Sequence, residues 1–319
     1  MIATDKPIVL FGGGGFVGRQ VAQELLSRGY RVRIAQRVLR RASMIRSLGS
    51  MGQTQFVSVD IADSKQVRAA LEGAGAAVNL VGLLKGDMHT AHVIGAGNIA
   101  QSAADAGLDA LVQVSAIGAD VASKSAYGRT KAEGEAGVRS AFPSATILRP
   151  SIMFGRDDGF TNRFAQLISL ASSMPFGIVP VIRGETRFQP VHVGDVAQAI
   201  AIAATNPDQF GGKTFELGGP DILTMRAVNE WIASQIGRSP NFVAVPDGVA
   251  RTMASLTSWA PGAPITRDQF EMLLSDNVVS QGAAGLESFG IKPMPLAAVA
   301  PAWLEHYREK GRFGTAVRA

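Results

Sequence analysis

Tyr127 and Lys131 stand four residues apart in the stretch YGRTKAEGE, so on a helix they share one face. An ammonium beside a phenol favours the phenolate and is expected to pull the Tyr127 pKa down. A phenol tuned this way could exchange a proton with a carbonyl or alcohol oxygen during hydride transfer, while Lys131 could also hold a nicotinamide ribose. Ser115 ends the apolar run LVQVSA twelve residues earlier and could polarise the same oxygen. A surface helix with an incidental tyrosine and lysine would show the same spacing, but the chain has only 3 tyrosines.

Hydride chemistry needs a cofactor, and the opening stretch PIVLFGGGGFVGRQVAQELLSR, residues 7–28, offers a place for one. A short apolar run, Ile8 to Phe11, meets four glycines, Gly12 to Gly15. Apolar residues then recur at helical spacing, Val17, Val21, Leu25 and Leu26. The pattern predicts strand, tight turn, helix. Such a turn aims the unpaired N–H groups and positive dipole end of the helix at whatever sits above it. Glycines let a diphosphate approach the backbone, and the spacing Gly12-x-x-Gly15-x-x-Gly18 fits a dinucleotide turn. Gly12, Gly14, Gly15, Phe16, Val17 and Gly18 are the expected contacts. An ordinary glycine-rich loop has the same composition; its place between strand and helix favours the cofactor.

A second strand, Arg31 to Gln36, ends without the carboxylate that would take the adenosine ribose hydroxyls of NAD(H). Arg37 follows, with Arg40 and Arg41 close behind. A guanidinium fork suits a 2′-phosphate, so NADP(H) is favoured over NAD(H), with Arg37 the first contact and Arg41 the second. A solvated basic helix start is the alternative. Asp60 ends the third strand and is placed to accept from an adenine amino group, or else to cap the next helix, a role Asp63 or Ser64 could also fill.

These residues need a scaffold that brings strand ends together. Strand-like runs at Ile8–Phe11, Arg31–Gln36, Gln55–Val59, Ala76–Val81, Leu108–Val114 and Thr146–Leu148 alternate with helix-like ones such as Ser64–Leu71 and His89–Ala106. That alternation predicts an α/β fold, a Rossmann-type doubly wound parallel sheet covered on both faces. Ligands bind beyond the carboxyl ends of such strands, which adds Ile61, Leu80, Val81, Gly82 and Pro150 to the expected cofactor set. From about residue 155 the alternation breaks. The expected division is a nucleotide-binding domain over 1–154, rejoined by about 191–222, and a smaller discontinuous α+β domain within 155–319. In that part Phe160–Ser172, Val193–Ala204 and Thr224–Ile236 read as helices, and Pro175–Pro180 as a loop.

The 319 residues are 46% hydrophobic and 18% charged, the composition of a globular chain with a real core. The net charge of +5 is too small to demand nucleic acid; an anionic cofactor or an acidic partner serves as well. With no cysteine there is no disulfide, thiolate zinc site or cysteine nucleophile. His89 and His92 lie one helical turn apart without further ligands, so no metal site is expected, and His192 is expected to be structural. No signal peptide and no membrane-length apolar run is evident, so a cytoplasmic location is expected.

The motifs Gly12-x-x-Gly15-x-x-Gly18, Ser115 and Tyr127-x-x-x-Lys131 together resemble the short-chain dehydrogenase/reductase superfamily, in its extended or atypical branch. HVIGAGNIAQSA, His92 to Ala103, is similar to that branch's Asn-Val-x-Gly-Thr-x-Asn helix. Gly95 and Asn98 match, whereas His92 stands where Asn is usual and Ala96 where Thr is. LRPSIMFG, Leu148 to Gly155, resembles the segment that passes the nicotinamide, and FQPVHVGDVAQAI, Phe188 to Ile200, the one that returns the chain to the nucleotide domain. Within the superfamily, FGGGGFVGR, FPSATILRPSIMFGRDDGFTNRFAQL and QPVHVGDVAQAI resemble the 39 kDa accessory subunits of respiratory complex I (NADH:ubiquinone oxidoreductase) and their bacterial relatives. Gly155–Asp158 with Asn162–Phe164 is the most distinctive piece. That resemblance implies a tightly held NADPH, respiratory-complex partners, a peripheral position near the quinone-binding region, and no assigned turnover. A free-standing NADPH-dependent reductase or NAD(P)-dependent epimerase/dehydratase using Ser115, Tyr127 and Lys131 is the second expectation. A cofactor-sensing regulator is the third.

Two C-terminal stretches could touch a membrane or a partner. Ala250–Trp259 carries Met253, Leu256 and Trp259 at helical spacing, although most such stripes face a core. Arg308, Lys310, Arg312 and Arg318 make a basic tail, either mobile or anchored on anionic lipid or an acidic subunit.

Overall fold

The computed structural model describes residues 5–257, 265–309 and 311, without the side chains of Arg41 and Thr257. The chain divides into two compact units. The first comprises Met1–Pro150, Val193–Leu217 and Ser280–Lys292, and the second Ser151–His192, Gly218–Val279 and Pro293–Ala319.

The chain enters the first unit through β1 (Ile8–Phe11), α1 (Phe16–Ser27), β2 (Val32–Gln36), β3 (Thr54–Ser58), α2 (Ser64–Leu71) and β4 (Ala76–Asn79). It continues through α3 (Gly95–Asp105), β5 (Ala110–Val114), α4 (Ala126–Ala141) and β6 (Thr146–Pro150). The second unit then receives β7 (Met153–Phe154), α5 (Thr161–Ser172), β8 (Ile178–Ile182), β9 (Arg187–Phe188) and β10 (Val191–His192). The chain returns to the first with α6 (Val193–Thr205), α7 (Pro207–Phe210) and β11 (Thr214–Leu217). Back in the second lie β12 (Leu223–Thr224), α8 (Met225–Gln235), β13 (Asn241–Val245), α9 (Asp247–Thr257) and α10 (Arg267–Met272). After Ser280–Lys292 the second unit closes with α11 (Leu296–Val299) and α12 (Pro301–Leu304).

Seven parallel strands form the first unit's sheet in the order β11-β6-β5-β4-β1-β2-β3, the expected doubly wound arrangement. Every residue of β1, β4 and β5 is buried, as a parallel sheet covered on both faces requires. One face is packed by α2, α3 and α4, and Ala96, Ile99, Ala100 and Ala103 of α3 join the core formed by Val9, Phe11, Ala77 and Leu111. The other face takes α1 and α6, which lie against each other. The sequence VGDVAQAIAIAAT of α6 is apolar nearly all round, and so the helix is buried nearly all round. The winding reverses between β1 and β4, a switch point whose strand ends open a crevice for a ligand.

Ser280–Lys292 is a further piece of this unit, whereas the sequence reading leaves it in the smaller domain. The Ser280 N–H donates to Glu216 Oε2 at 2.8 Å. Phe289 stacks on Phe210 at 4.5 Å between ring centroids and meets Phe215 edge-on at 4.7 Å.

The second unit packs α5, α8 and α12 around Phe154, Ile168, Val179, Val228, Ile232 and Trp303. Its strands form three pairs, β7 with β10, β9 with β12, and β8 with β13. Pro180, expected in a loop, lies inside β8; with a partner on one side only, that strand tolerates a residue lacking an N–H. The Gly155–Phe164 block starts α5. Asp158 Oδ1 accepts from the N–H groups of Phe160 (2.8 Å), Thr161 (2.6 Å) and Asn162 (3.3 Å), and Oδ2 from the Gly155 N–H (2.9 Å) and the Thr161 hydroxyl (2.7 Å). Asn162 accepts from the Tyr307 hydroxyl at 3.1 Å.

In α9, Ala250 and Ala254 are buried and Leu256 is exposed. Trp259 lies outside the described residues, as do Lys310, Arg312 and Arg318. Arg308 is not free as a mobile end would be, because its Nε donates to the Gln235 carbonyl at 3.2 Å. Among the described residues no helix is long and apolar enough to cross a membrane.

Candidate functional site

The turn after β1 is built by exclusion of side chains. Gly12 sits at φ +79°, where a Cβ would also lie 3.3 Å from Val81 Cγ2. Gly18 lets α1 touch the backbone of Gly13, whose carbonyl oxygen and Cα occupy the place a Cβ would need. Gly15 is the N-cap of α1, and no side chain caps that helix. No acidic residue occupies its first turn, which opens with Phe16 and Val17. The N–H groups of that turn and the helix dipole therefore face the crevice uncompensated.

Gln36, at the end of β2, is a site residue that sequence reasoning passed over. Its Oε1 accepts from the Gly14 N–H at 2.7 Å and its Nε2 donates to the Val38 carbonyl at 2.6 Å. A neutral carboxamide thus holds the position where a carboxylate would select an unmodified ribose. The missing carboxylate was the available signal; that its replacement would bind the turn was not. Arg37 follows, exposed and without an acidic partner among the described residues. The Arg41 side chain lies outside the described residues. Asp60 is half-buried and its Oδ1 accepts from the Ala62 N–H at 3.0 Å, while Asp63 caps α2 through the N–H groups of Lys65 and Gln66. Asn98 donates to the carbonyls of Ile61 (2.9 Å) and Ala62 (3.2 Å), and Gly95 leaves room for the Ile61 side chain. The Leu80 N–H donates to the Phe11 carbonyl and the Val81 N–H to Asn79 Oδ1. Gly12–Gly18, Gln36–Arg37, Asp60–Ile61 and Leu80–Gly82 thereby gather at the carboxyl ends of four adjacent strands.

The second group lies at the ends of β5 and β6. Lys131 is buried; its Nζ donates to the Val114 carbonyl at 3.1 Å and stands so close to Gly82 that a Cβ there would be 3.4 Å away. Tyr127 shares its helix face, with the Lys131 ammonium 5.8 Å from the ring centroid. The expected lowering of the phenol does not occur. Burial pushes Tyr127 up to about 12, because the ammonium lies toward the ring and is spent on a carbonyl. Burial also pulls Lys131 down to about 8, against the opposing pull of Glu135. Ser115 is 4% exposed and its hydroxyl has no hydrogen-bond partner among the described residues. A buried, unpartnered hydroxyl is costly unless something else engages it. Pro150 is buried at the end of β6 and its carbonyl accepts from the Ile117 N–H at 3.1 Å.

His92 stands in this group as structure, not ligand. Burial first, and Lys131 second, pull it down to about 3, so the ring is neutral. Nε2 accepts from the Leu83 N–H at 2.9 Å, which assigns the proton to Nδ1, facing Thr130 Oγ1 at 2.9 Å. The Thr130 hydroxyl donates onward to the Ala126 carbonyl. The ring meets Tyr127 edge-on at 5.5 Å. His92 lies in the π-helical turn Thr90–Ile94, and its carbonyl fills the space a Cβ at Gly134 would take. The loop after β4 and the helix carrying Tyr127 and Lys131 are thus fastened together.

Two buried polar assemblies support the site from below. Asn79 Nδ2 donates to Gln113 Oε1 at 2.9 Å, and Gln113 Nε2 reaches the Val114 carbonyl that also receives Lys131. Glu135, 1% exposed, accepts from Arg149 Nε (2.9 Å) and Nη2 (2.7 Å) and pairs with Arg139 at 3.3 Å. Arg149 also reaches Glu216 at 3.7 Å.

The depressed Lys131 has a measurable consequence. An unfolded lysine keeps its proton to 10.5, whereas the folded one releases it near 8. Between those values the unfolded chain binds more protons, so stability rises with pH and the cost is fully present below pH 8. Tyr127 works in the opposite direction only above its unfolded value of 10.0. Unfolding in urea at pH 8 and pH 10 is expected to show a gain of about 1–2 kcal/mol, absent in Lys131→Met. A gain of equal size in both proteins refutes the assignment.

The residues present fit a dinucleotide: Gly12, Gly13, Gly14 and Gly18 stand where a Cβ would crowd its neighbours, and the Ser115 hydroxyl at the end of β5 is buried without a partner among the described residues. Comparisons with known proteins agree. The family model for the NAD dependent epimerase/dehydratase family matches residues 8–218. NADH dehydrogenase (ubiquinone) 1 alpha subcomplex subunit 9, mitochondrial, of Arabidopsis thaliana is 31% identical over 97% of this chain and 80% of its own length. The protein of the same name from Rattus norvegicus is 34% identical over 90% of this chain and 76% of its own. Among solved structures, the NADPH-dependent quinone oxidoreductase QOR2 of Escherichia coli, complexed with NADPH, matches with a TM-score of 0.75 over 93% of this chain and 99% of that one. At 17% identity that is a likeness of fold.

Proposed function

The chain belongs to the NAD dependent epimerase/dehydratase family, and on that premise we propose that it holds NADP(H) and serves as an accessory subunit of a respiratory NADH:quinone oxidoreductase. The observation that carries this reading is similarity to two subunits of that enzyme over nine-tenths or more of the chain, which has a Gly12–Gly18 cradle of its own. The turn and the α1 N-terminus would face the diphosphate. Arg37, with Arg41, would face the 2′-phosphate, and the neutral Gln36 leaves that phosphate unopposed. Asp60 would meet the adenine and Lys131 the nicotinamide ribose. When bound, NADP(H) supplies a nicotinamide able to exchange hydride. The position would be peripheral, on the cytoplasmic face of the inner membrane. Affinity purification of the full chain from native membranes, identifying bound nucleotide and bound proteins together, tests this. NADP(H) and respiratory-complex subunits are expected. Bound NAD(H), no nucleotide, or a chain wholly free in cytosol contradicts it.

A second reading, a free-standing NADPH-dependent reductase or epimerase, is favoured by one observation: the unpartnered Ser115 hydroxyl follows Val114, whose carbonyl receives the buried Lys131. The neutral phenol would donate to a substrate oxygen while Ser115 polarises it. A carbonyl-substrate screen is expected to find turnover that falls by about 10²–10⁴-fold in Tyr127→Phe. Turnover that survives the substitution removes Tyr127 from the chemistry.

A further inference from the structure

The chain's positive charge is not spread evenly. Between Leu25 and Val59 lie seven arginines and no Asp, Glu or Lys, leaving 24 basic against 26 acidic residues elsewhere. Arg28 pairs with Glu24, while Arg31 and Arg33 bind backbone carbonyls. Arg37, Arg40 and Arg46 are exposed and have no acidic partner among the described residues. Met44, Leu48 and Met51 are exposed between and beside them. This surface is anchored: Ala42 and Ile45 on the inner side of the 3₁₀ stretch Leu39–Ser47 are fully buried. Gln53 ties its end to the carbonyls of Leu26 and Tyr30, and the Arg46 guanidinium is held 5.1 Å over the Phe56 ring. Arginine and methionine without lysine or carboxylates is the composition of a protein interface. A segment resting in a lipid interface would carry an anchoring Trp or Tyr, and 37–51 has neither.

We infer that residues 38–51 are a docking surface for an acidic protein face with an apolar centre. The inference rests on the reading that the chain docks on a respiratory complex, and assigns the surface by which it does so. Two full-length variants test it, Arg40→Glu/Arg46→Glu and Met44→Ser/Met51→Ser, neither of which touches the nucleotide cradle. Detergent-solubilised native membranes are resolved by blue-native electrophoresis. Both variants are expected to lose co-migration with the complex by at least about tenfold while melting temperature and bound NADP(H) stay unchanged. Variants that co-migrate like the wild type overturn the surface assignment alone. A wild type that does not co-migrate overturns the docking reading, and this inference with it. Phosphatidylcholine vesicles containing phosphatidylglycerol that retain the wild type but not the arginine variant assign the segment to lipid and overturn it too.

Discussion

Asp158→Ala is expected to destabilise the second unit by about 3–5 kcal/mol. One buried carboxylate takes five hydrogen bonds, from Gly155, Phe160, Thr161 twice and Asn162. Alanine leaves those donors unpaired at the start of α5, where the helix dipole also favours a negative charge. Trp303 Nε1 donates to the Thr161 hydroxyl at 3.1 Å, so tryptophan fluorescence during urea unfolding reads this corner directly. Asp158→Asn, which keeps one acceptor oxygen, is expected to fall between the two. A loss under about 1 kcal/mol in the alanine variant would show that the donors find other partners. The stretch most distinctive of the resemblance thus encodes the start of a helix.

Arg149→Met is expected to cost about 3–5 kcal/mol in the first unit. Methionine keeps much of the stem but removes the fork that binds Glu135 twice and reaches Glu216. Glu135 is left 1% exposed with only the 41%-exposed Arg139 and the Lys131 ammonium to offset it. Adding Glu135→Gln is expected to recover part of the loss, because the pair shares one interaction. Denaturant titrations of the two singles and the double check this. Strict additivity would mean the two side chains are uncoupled.

The scaffold was legible because its signals are local. Strand runs, glycine spacing and the periodicity of α2, α3 and α5 each sit within a dozen residues. What was not legible depends on distant partners. Gln36 binds Gly14 across 22 positions, and nothing in either residue announces the pair. The direction of the Tyr127 shift is a contest between burial and charge, decided by where the Lys131 ammonium points. Proximity in sequence suggested the ammonium would win; its bond to the Val114 carbonyl leaves burial dominant. Arg308 read as part of a loose basic end because its acceptor, the Gln235 carbonyl, lies 73 residues away. Ser280–Lys292 has no long periodic element, and its place is set by Glu216 and by the rings of Phe210 and Phe215.

The first unit is assembled from three separated stretches, and that interleaving bears on how the protein is made. A ribosome that has released residue 150 has delivered six strands and the helices of one face. The face shared by α1 and α6 has only α1, and β6 is an open edge. The last stretch emerges only after Lys292, roughly 7–30 s later at ordinary translation rates. During that interval the nascent chain displays apolar surface that the finished unit buries. Truncation anywhere before Ser280 would make that exposure permanent.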